Sequence, residues 1–298
     1  MAPKPLRRNL PAMLTHLEFI VPAPSHGRPF AADATYLADG QPKPVVVFVH
    51  GFKGFKDWGH FPLLGDFFAA QGFVFVKLNL SHNGVVVGGT GDLEDLDAFG
   101  RNNFSLELDD IGHLLDALHE HEAAPVSTVE MNLERLFLIG HSRGGGAVLL
   151  KAAEDARVRA VAAWASIADV NQRWSEAAMR EWQAQGVVYV DNSRTGQRLP
   201  LYYQLVEDYQ KNQARLDIAH NVAERLHQPL LIVHGDQDET VPLRAAQQLH
   251  ALRPGAELQV LPGVGHAFGG AHPWAPAELP ADARQVAELT ADFFRRQI

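Results

Sequence analysis

Residues 136–146 read Leu-Phe-Leu-Ile-Gly-His-Ser-Arg-Gly-Gly-Gly. Within them, Gly140-His141-Ser142-Arg143-Gly144 sets one serine between two glycines at the spacing of a nucleophile elbow. A serine hydroxyl attacks poorly at neutral pH unless the chain presents and activates it. The flanking residues suit presentation. The apolar run Leu136 to Ile139 reads as a buried strand, and Ala147-Val148-Leu149-Leu150-Lys151-Ala152-Ala153 reads as a helix. A sharp strand-to-helix turn thrusts Ser142 out of a sheet. Gly140 and Gly144 remove Cβ atoms where the turn would collide with a neighbouring strand or helix, and Gly145 and Gly146 let the helix begin close to the sheet.

Activation needs a base, a group that orients the base, and donors for an oxyanion. The chain has 15 histidines, so position must choose among them. His266 lies in Pro262-Gly263-Val264-Gly265-His266-Ala267-Phe268, a glycine-rich loop after the last expected strand, able to bring its ring over Ser142. His141 is taken as structural, and His60, His82, His113 and His272 as surface or loop residues. The oxyanion donors are expected to be backbone N–H groups. Arg143 supplies one at a helix N-terminus, and Phe52, in His50-Gly51-Phe52-Lys53-Gly54 after another buried run, supplies the second. Three carboxylates follow expected strand ends and stand open as the orienting acid: Asp169, Asp236 and Asp238.

These residues need a scaffold that collects strand C-termini. Residues 16–21 and 28–37 alternate as an antiparallel edge pair after a loose arm, residues 1–14. Val45 to Val49, Phe73 to Leu80, Leu136 to Ile139, Val158 to Ile167, Leu230 to Val233 and Leu258 to Leu261 read as strands. Helices are expected at Phe61–Gln71, Phe104–Glu122, about Leu243–Leu252 and Asp282–Gln297, and 81–100 as loop. This alternation predicts an α/β fold: a mostly parallel sheet covered by helices on both faces, with its ligand site beyond the strand C-termini. Residues 171–228 break the rhythm. A helix from Trp174 to Gln185, a hairpin with arms Val187–Val190 and Leu201–Leu205, and a further helix before Pro229 suggest a cap, leaving 1–170 and 229–298 as the core domain. Trp174, Trp182, Tyr189, Tyr202 and Tyr203 in this cap form either an apolar acyl pocket or the cap's own small core.

Composition bounds the partners. With 298 residues, 46% of them hydrophobic, the chain can bury a sizeable core. A formal net charge of −9 argues against nucleic acid, and no apolar run is long enough to span a bilayer. The absence of cysteine and of a signal-peptide pattern fits a cytoplasmic protein. A metallohydrolase using His234, Asp236, Asp238 and His266 is the rival chemistry, but the dense His/Asp motifs of two-metal sites are missing.

Four stretches stand in one order: His50-Gly51-Phe52-Lys53-Gly54, Gly140-His141-Ser142-Arg143-Gly144, His234-Gly235-Asp236-Gln237-Asp238-Glu239-Thr240-Val241-Pro242 and Gly265-His266-Ala267-Phe268. With them the sequence resembles the α/β-hydrolase superfamily over about residues 45–295, and within it the dienelactone-hydrolase-like and acyl-esterase branch. The resemblance implies a sheet of about eight strands, no metal or organic cofactor, and the spacing Gly-x-x-Asp-x-x-Val-Pro for the acid, which falls on Asp238. The expected reading is then a serine carboxylesterase with Ser142, Asp238 and His266 as triad and a small acyl ester as substrate. A peptidase or acyltransferase on the same triad, or a non-catalytic ligand receptor on the same fold, are the alternatives. Oligomeric state is not legible.

Overall fold

The computed structural model describes residues 13–89, 91–120, 125–170 and 175–298. Strands β1 (Met13–Val21) and β2 (Phe30–Ala38) pair antiparallel, as the alternation predicts. Strand β3 (Lys43–Val49) leads to helix α1 (Phe61–Ala70) and strand β4 (Val74–Leu78). Helices α2 (Leu96–Arg101) and α3 (Phe104–Glu120) precede strand β5 (Met131–His141), helix α4 (Arg143–Glu154) and strand β6 (Val158–Trp164). Then come helix α5 (Glu176–Gln185), strands β7 (Val187–Asn192) and β8 (Gln197–Tyr202), and helices α6 (Gln204–Lys211), α7 (Gln213–Leu216) and α8 (Ile218–Glu224). The chain closes with strand β9 (Leu230–Gly235), helix α9 (Arg244–Leu252), strand β10 (Glu257–Leu261) and helix α10 (Ala281–Arg295).

Eight strands form one sheet in the order β1-β2-β4-β3-β5-β6-β9-β10, and every pairing from β4 to β10 is parallel. Strand β3 shows why its sequence is uninterruptedly apolar. Side chains alternate across a strand, so Val45, Val47 and Val49 pack with α3 and α4 on one face. Val46 and Phe48 pack with α1 and α10 on the other. Among the described residues no helix is long and apolar enough to cross a membrane.

Three local differences from the sequence reading have simple causes. Strand β1 begins at Met13, inside the stretch expected to be a loose arm; residues 1–12 lie outside the described residues. Helix α2 occupies part of the 81–100 stretch read as loop. Its six residues are too few for a periodicity signal, and it starts at Asp95, whose carboxylate accepts from the Ala98 N–H at 2.9 Å. The single helix expected before Pro229 is three short ones. Asp217 caps α8 through the His220 N–H at 2.9 Å, and Asn221 Nδ2 donates to the carbonyls of Ala214, Arg215 and Asp217 where α7 ends.

The segment between β6 and β9 carries the two-stranded sheet β7–β8. Its buried Trp182, Leu199, Leu201 and Val206 join Leu93 and Phe99 in a small apolar cluster, with the Trp182 Nε1–H donating to the Leu201 carbonyl at 2.9 Å. Polar ties fix it to the rest. Arg194 pairs its two terminal guanidinium nitrogens with Asp92 at 2.7 and 2.6 Å, Tyr202 OH donates to Asp97 at 2.8 Å, and Lys53 Nζ donates to the Asp191 carbonyl at 2.6 Å.

Candidate active site

Ser142 sits between β5 and α4 with φ 58° and ψ −120°, a left-handed conformation that a serine adopts only under constraint. The constraint is close backbone packing. A Cβ on Gly140 would run into the Gly144 carbonyl, and a Cβ on Gly144 into the carbonyls of Val49 and His50 at the end of β3. The Ser142 N–H donates to the Trp164 carbonyl at 2.9 Å, which locks the turn to β6. Gly145 and Gly146 likewise face Ser166 and Ile167 at distances that leave no room for a Cβ.

The turn after β3 lies directly against Ser142: a Cβ on Gly51 would stand 2.8 Å from Ser142 Cβ. Phe52 follows in the chain, and its ring lines the same cavity as Ser142. Arg143 opens α4, where a first-turn N–H has no acceptor within its own helix. His50 shapes this turn from beneath. Its Nδ1–H donates to the Gly51 carbonyl at 2.9 Å, and its Nε2 accepts from the Leu80 N–H at 3.3 Å. Burial holds the ring neutral by pulling its pKa down to about 4.

His266 and Asp238 meet from separate loops. His266 Nδ1 lies 2.7 Å from Asp238 Oδ2. Asp238 Oδ1 accepts from the N–H groups of Thr240 and Val241, each at 2.8 Å. His234 Nε2, which donates to the Val241 carbonyl at 2.7 Å, also stands 3.3 Å from Asp238 Oδ2. Burial alone would push this carboxyl up. The hydrogen bonds from His234, His266 and the Val241 N–H outweigh it and hold Asp238 well below the usual carboxylate range. An ionised acid on Nδ1 fixes the imidazole tautomer that leaves Nε2 free to accept a proton.

His141 does more than fill space. Its Nε2–H donates to the His266 backbone carbonyl at 2.9 Å, and the two rings lie 4.8 Å apart. Burial pulls its pKa down to about 3, so it stays a neutral donor that pins the His266 loop. The sequence reading made it structural and aimed it elsewhere; its position beside Ser142 was the available signal. His60, expected at the surface or in a loop, is 3% exposed, packed among Trp58, Phe61 and Trp274.

The other carboxylates stand apart from His266 Nδ1. Asp236 Oδ1 accepts from the Gly263 N–H at 2.7 Å and so ties the His266 loop to β9 as a turn-capping residue. Asp169 lines the cavity wall. Among the described residues no three His, Asp or Glu side chains are grouped as a metal site.

Ser142 and His266 open into one cavity of about 590 Å³. It is lined by Trp182, Leu201 and Tyr209 from the segment between β6 and β9, and by Phe52, Phe104 and Arg143. Of the aromatic residues noted in the sequence, Trp182 belongs to both the small cluster and the cavity wall, and Tyr189 is 51% exposed. Trp174 lies outside the described residues. Tyr209 and Phe104 were not anticipated.

A profile of the alpha/beta hydrolase family matches residues 46–281. The chain belongs to the alpha/beta hydrolase family. Solved structures of this fold superpose over nearly its whole length at low identity. Est1E from Butyrivibrio proteoclasticus gives a TM-score of 0.64 at 18% identity, covering 94% of this chain and 98% of its own. An esterase domain from a Rhodothermus marinus protein gives 0.62 at 22%, covering 95% and 98%. Alpha/beta hydrolase GrgF from Penicillium sp. sh18 gives 0.65 at 17%, covering 95% and 99%. No curated protein matches the sequence at a significant level. In this alpha/beta hydrolase, the sheet topology gathers Ser142, the Phe52 turn, Asp238 and His266 at the C-terminal ends of β5, β3, β9 and β10.

Proposed function

We propose that this alpha/beta hydrolase is a serine esterase acting on small acyl esters. The observation that carries the reading is the 2.7 Å contact of His266 Nδ1 with the buried Asp238, in a cavity that also holds the strained Ser142. Ser142 Oγ attacks the acyl carbonyl while His266 Nε2 takes its proton. The Phe52 and Arg143 N–H groups hold the oxyanion. His266 then gives the proton to the leaving alcohol, and water admitted by the same base releases the acid. One structural neighbour is an esterase domain, which supports the choice of ester over amide. The test is fluorophosphonate labelling, followed by turnover of matched esters, amides and thioesters. Labelling at Ser142 with esters as the fastest class fits the proposal, and a failure to label or to turn over any acyl substrate overturns it.

The role given to the Phe52 turn makes its own prediction. Gly51→Ala is expected to keep the fold and to lower kcat by about 100-fold. The added methyl displaces either the nucleophile or the oxyanion donor, and misplacement by an ångström has that scale of effect. The measurement is kcat on an activated ester beside a circular dichroism spectrum. Unchanged kcat would detach this turn from the chemistry.

We further assign residues 171–228 as a cap. Its anchors on Asp92, Asp97 and Lys53 suit a fixed roof, so selectivity comes from the shape of its inner wall. Shortening the turn between β7 and β8 so as to remove Arg194 is expected to alter the ranking of esters by acyl size, with fluorophosphonate labelling of Ser142 retained. An unaltered ranking in the folded, trimmed protein rejects the roof.

A further inference from the structure

The residue after the nucleophile has a side chain that the hydrolytic steps do not use. The Arg143 guanidinium lies 3.8 Å from the Phe104 ring centroid and 5.9 Å from that of Phe52, and both rings line the cavity. It is paired with Glu107, whose Oε1 stands 2.8 Å from Arg143 Nε and whose side chain is 2% exposed. Nε and Nη2 are enclosed and make no hydrogen bond among the described residues, which leaves Nη1 as the guanidinium nitrogen within reach of the cavity that Arg143 lines. Glu107 Oε1 also accepts from Asn102 Nδ2 at 2.7 Å. The cavity wall around Arg143 combines the Phe52 and Phe104 rings with the polar residues Lys53, Asp169, Thr240 and Arg244. A donor in such a wall costs free energy when a ligand covers it without pairing it.

Resting on the esterase reading, we infer that Arg143 is a specificity-determining residue that donates a hydrogen bond to a neutral oxygen on the substrate's acyl chain. The substrate class is an oxygenated acyl ester, such as a hydroxy-, keto- or alkoxy-acyl ester. The aromatic rings and Glu107 hold the guanidinium in place, so Nη1 donates from a fixed position beside the reacting carbonyl. The charge of Arg143 is already balanced by Glu107, so the pair offers a substrate a donor without a net cation behind it. This favours a neutral oxygen over a carboxylate. A plain hydrocarbon acyl group would cover the guanidinium donors without pairing them.

The experiment measures kcat/KM on p-nitrophenyl hexanoate, on its hydroxy isomers with the oxygen moved along the chain, and on the corresponding half-ester of a dicarboxylic acid. In the unmodified protein one hydroxy isomer is expected to exceed hexanoate by roughly 10- to 100-fold, the effect of one hydrogen bond to a charged donor. The half-ester is expected to fall below that isomer. Arg143→Met alone leaves Glu107 buried and unpaired and can fail to fold, so the informative variant is Arg143→Met with Glu107→Gln. There the ratio of hydroxy isomer to hexanoate is expected to collapse toward that of their uncatalysed hydrolysis, so that comparing the two proteins cancels intrinsic ester reactivity. Glu107→Gln alone leaves an unbalanced cation and is expected to raise the half-ester above its rank in the unmodified protein. Turnover of hexanoate with no preferred hydroxy isomer overturns this inference and leaves the esterase reading standing. So does a preference that survives the double substitution. Absence of turnover on every ester overturns the esterase reading itself.

Discussion

Ser142→Ala is expected to leave the melting curve in place, to abolish covalent fluorophosphonate labelling, and to lower kcat by about 10⁴-fold or more. The elbow is held by contacts that do not involve the hydroxyl. They are the Ser142 N–H to the Trp164 carbonyl, the Gly145 N–H to the Ser142 carbonyl at 3.0 Å, and the close approach of Gly140 to Gly144. An alanine at φ 58° carries the same backbone strain as the serine, so little stability changes hands. The proposed chemistry, by contrast, needs a hydroxyl on this turn, and alanine supplies none. Residual turnover would come only from the oxyanion donors and from substrate positioning. The measurement pairs intact-protein mass spectrometry after labelling with kcat on an activated ester. Stoichiometric labelling of the Ser142→Ala protein at another serine would place the nucleophile elsewhere.

The parallel sheet was legible because its strands are buried on both faces. Residues such as Val45–Val49 and Phe137–Ile139 must then be apolar without a break, and intervening helices must carry the amphipathic period. The glycines of the elbow were legible for the same kind of reason. Gly144 meets the end of β3 at a distance that only a missing Cβ allows. What the sequence left hidden depends on contacts between distant segments. His141 reaches the carbonyl of His266 across 125 residues, and no local pattern announces that partner.

Glu107 is a subtler case. It lies on the buried side of α3 with Ile111, Leu114 and Leu118, and a charge on that apolar stripe was a visible sign of a buried ion pair. Its partner, Arg143, had been considered only for its backbone N–H. The short helices α6 to α8 were merged because their breaks fall at Asn212 and at Asp217, the latter supported by Asn221, side chains whose role depends on three-dimensional geometry.

Asp238→Asn is expected to lower kcat by roughly 10³- to 10⁴-fold, with KM little changed. An asparagine at this place would keep its Oδ1 on the Thr240 and Val241 N–H groups, which now donate to Asp238 at 2.8 Å. Its amide nitrogen would then face His266 Nδ1. A donor there forces Nδ1 to accept, the ring proton moves to Nε2, and the base has no lone pair for the serine proton. The same amide would face the Nε2–H of His234, 3.3 Å from the present Oδ2, so two donors would oppose each other in a buried place. Asp238→Asn is therefore expected to lower the melting temperature as well. Asp236→Asn is expected to spare both rate and stability, because its Oδ1 still accepts from the Gly263 N–H. The pH dependence has a definite sign. Asp238 is held below the ordinary carboxylate value in the folded protein, so its ionised form stabilises the fold fully above about pH 4. That contribution is lost as pH falls through the folded value. The difference in melting temperature between the unmodified protein and Asp238→Asn is thus expected to be widest near neutrality and to narrow in acid. The decisive measurement is kcat for Asp169→Asn, Asp236→Asn and Asp238→Asn, each with a melting curve at neutral and acid pH. A large rate loss at Asp169 or Asp236, with Asp238→Asn near the unmodified rate, would move the acid to another loop.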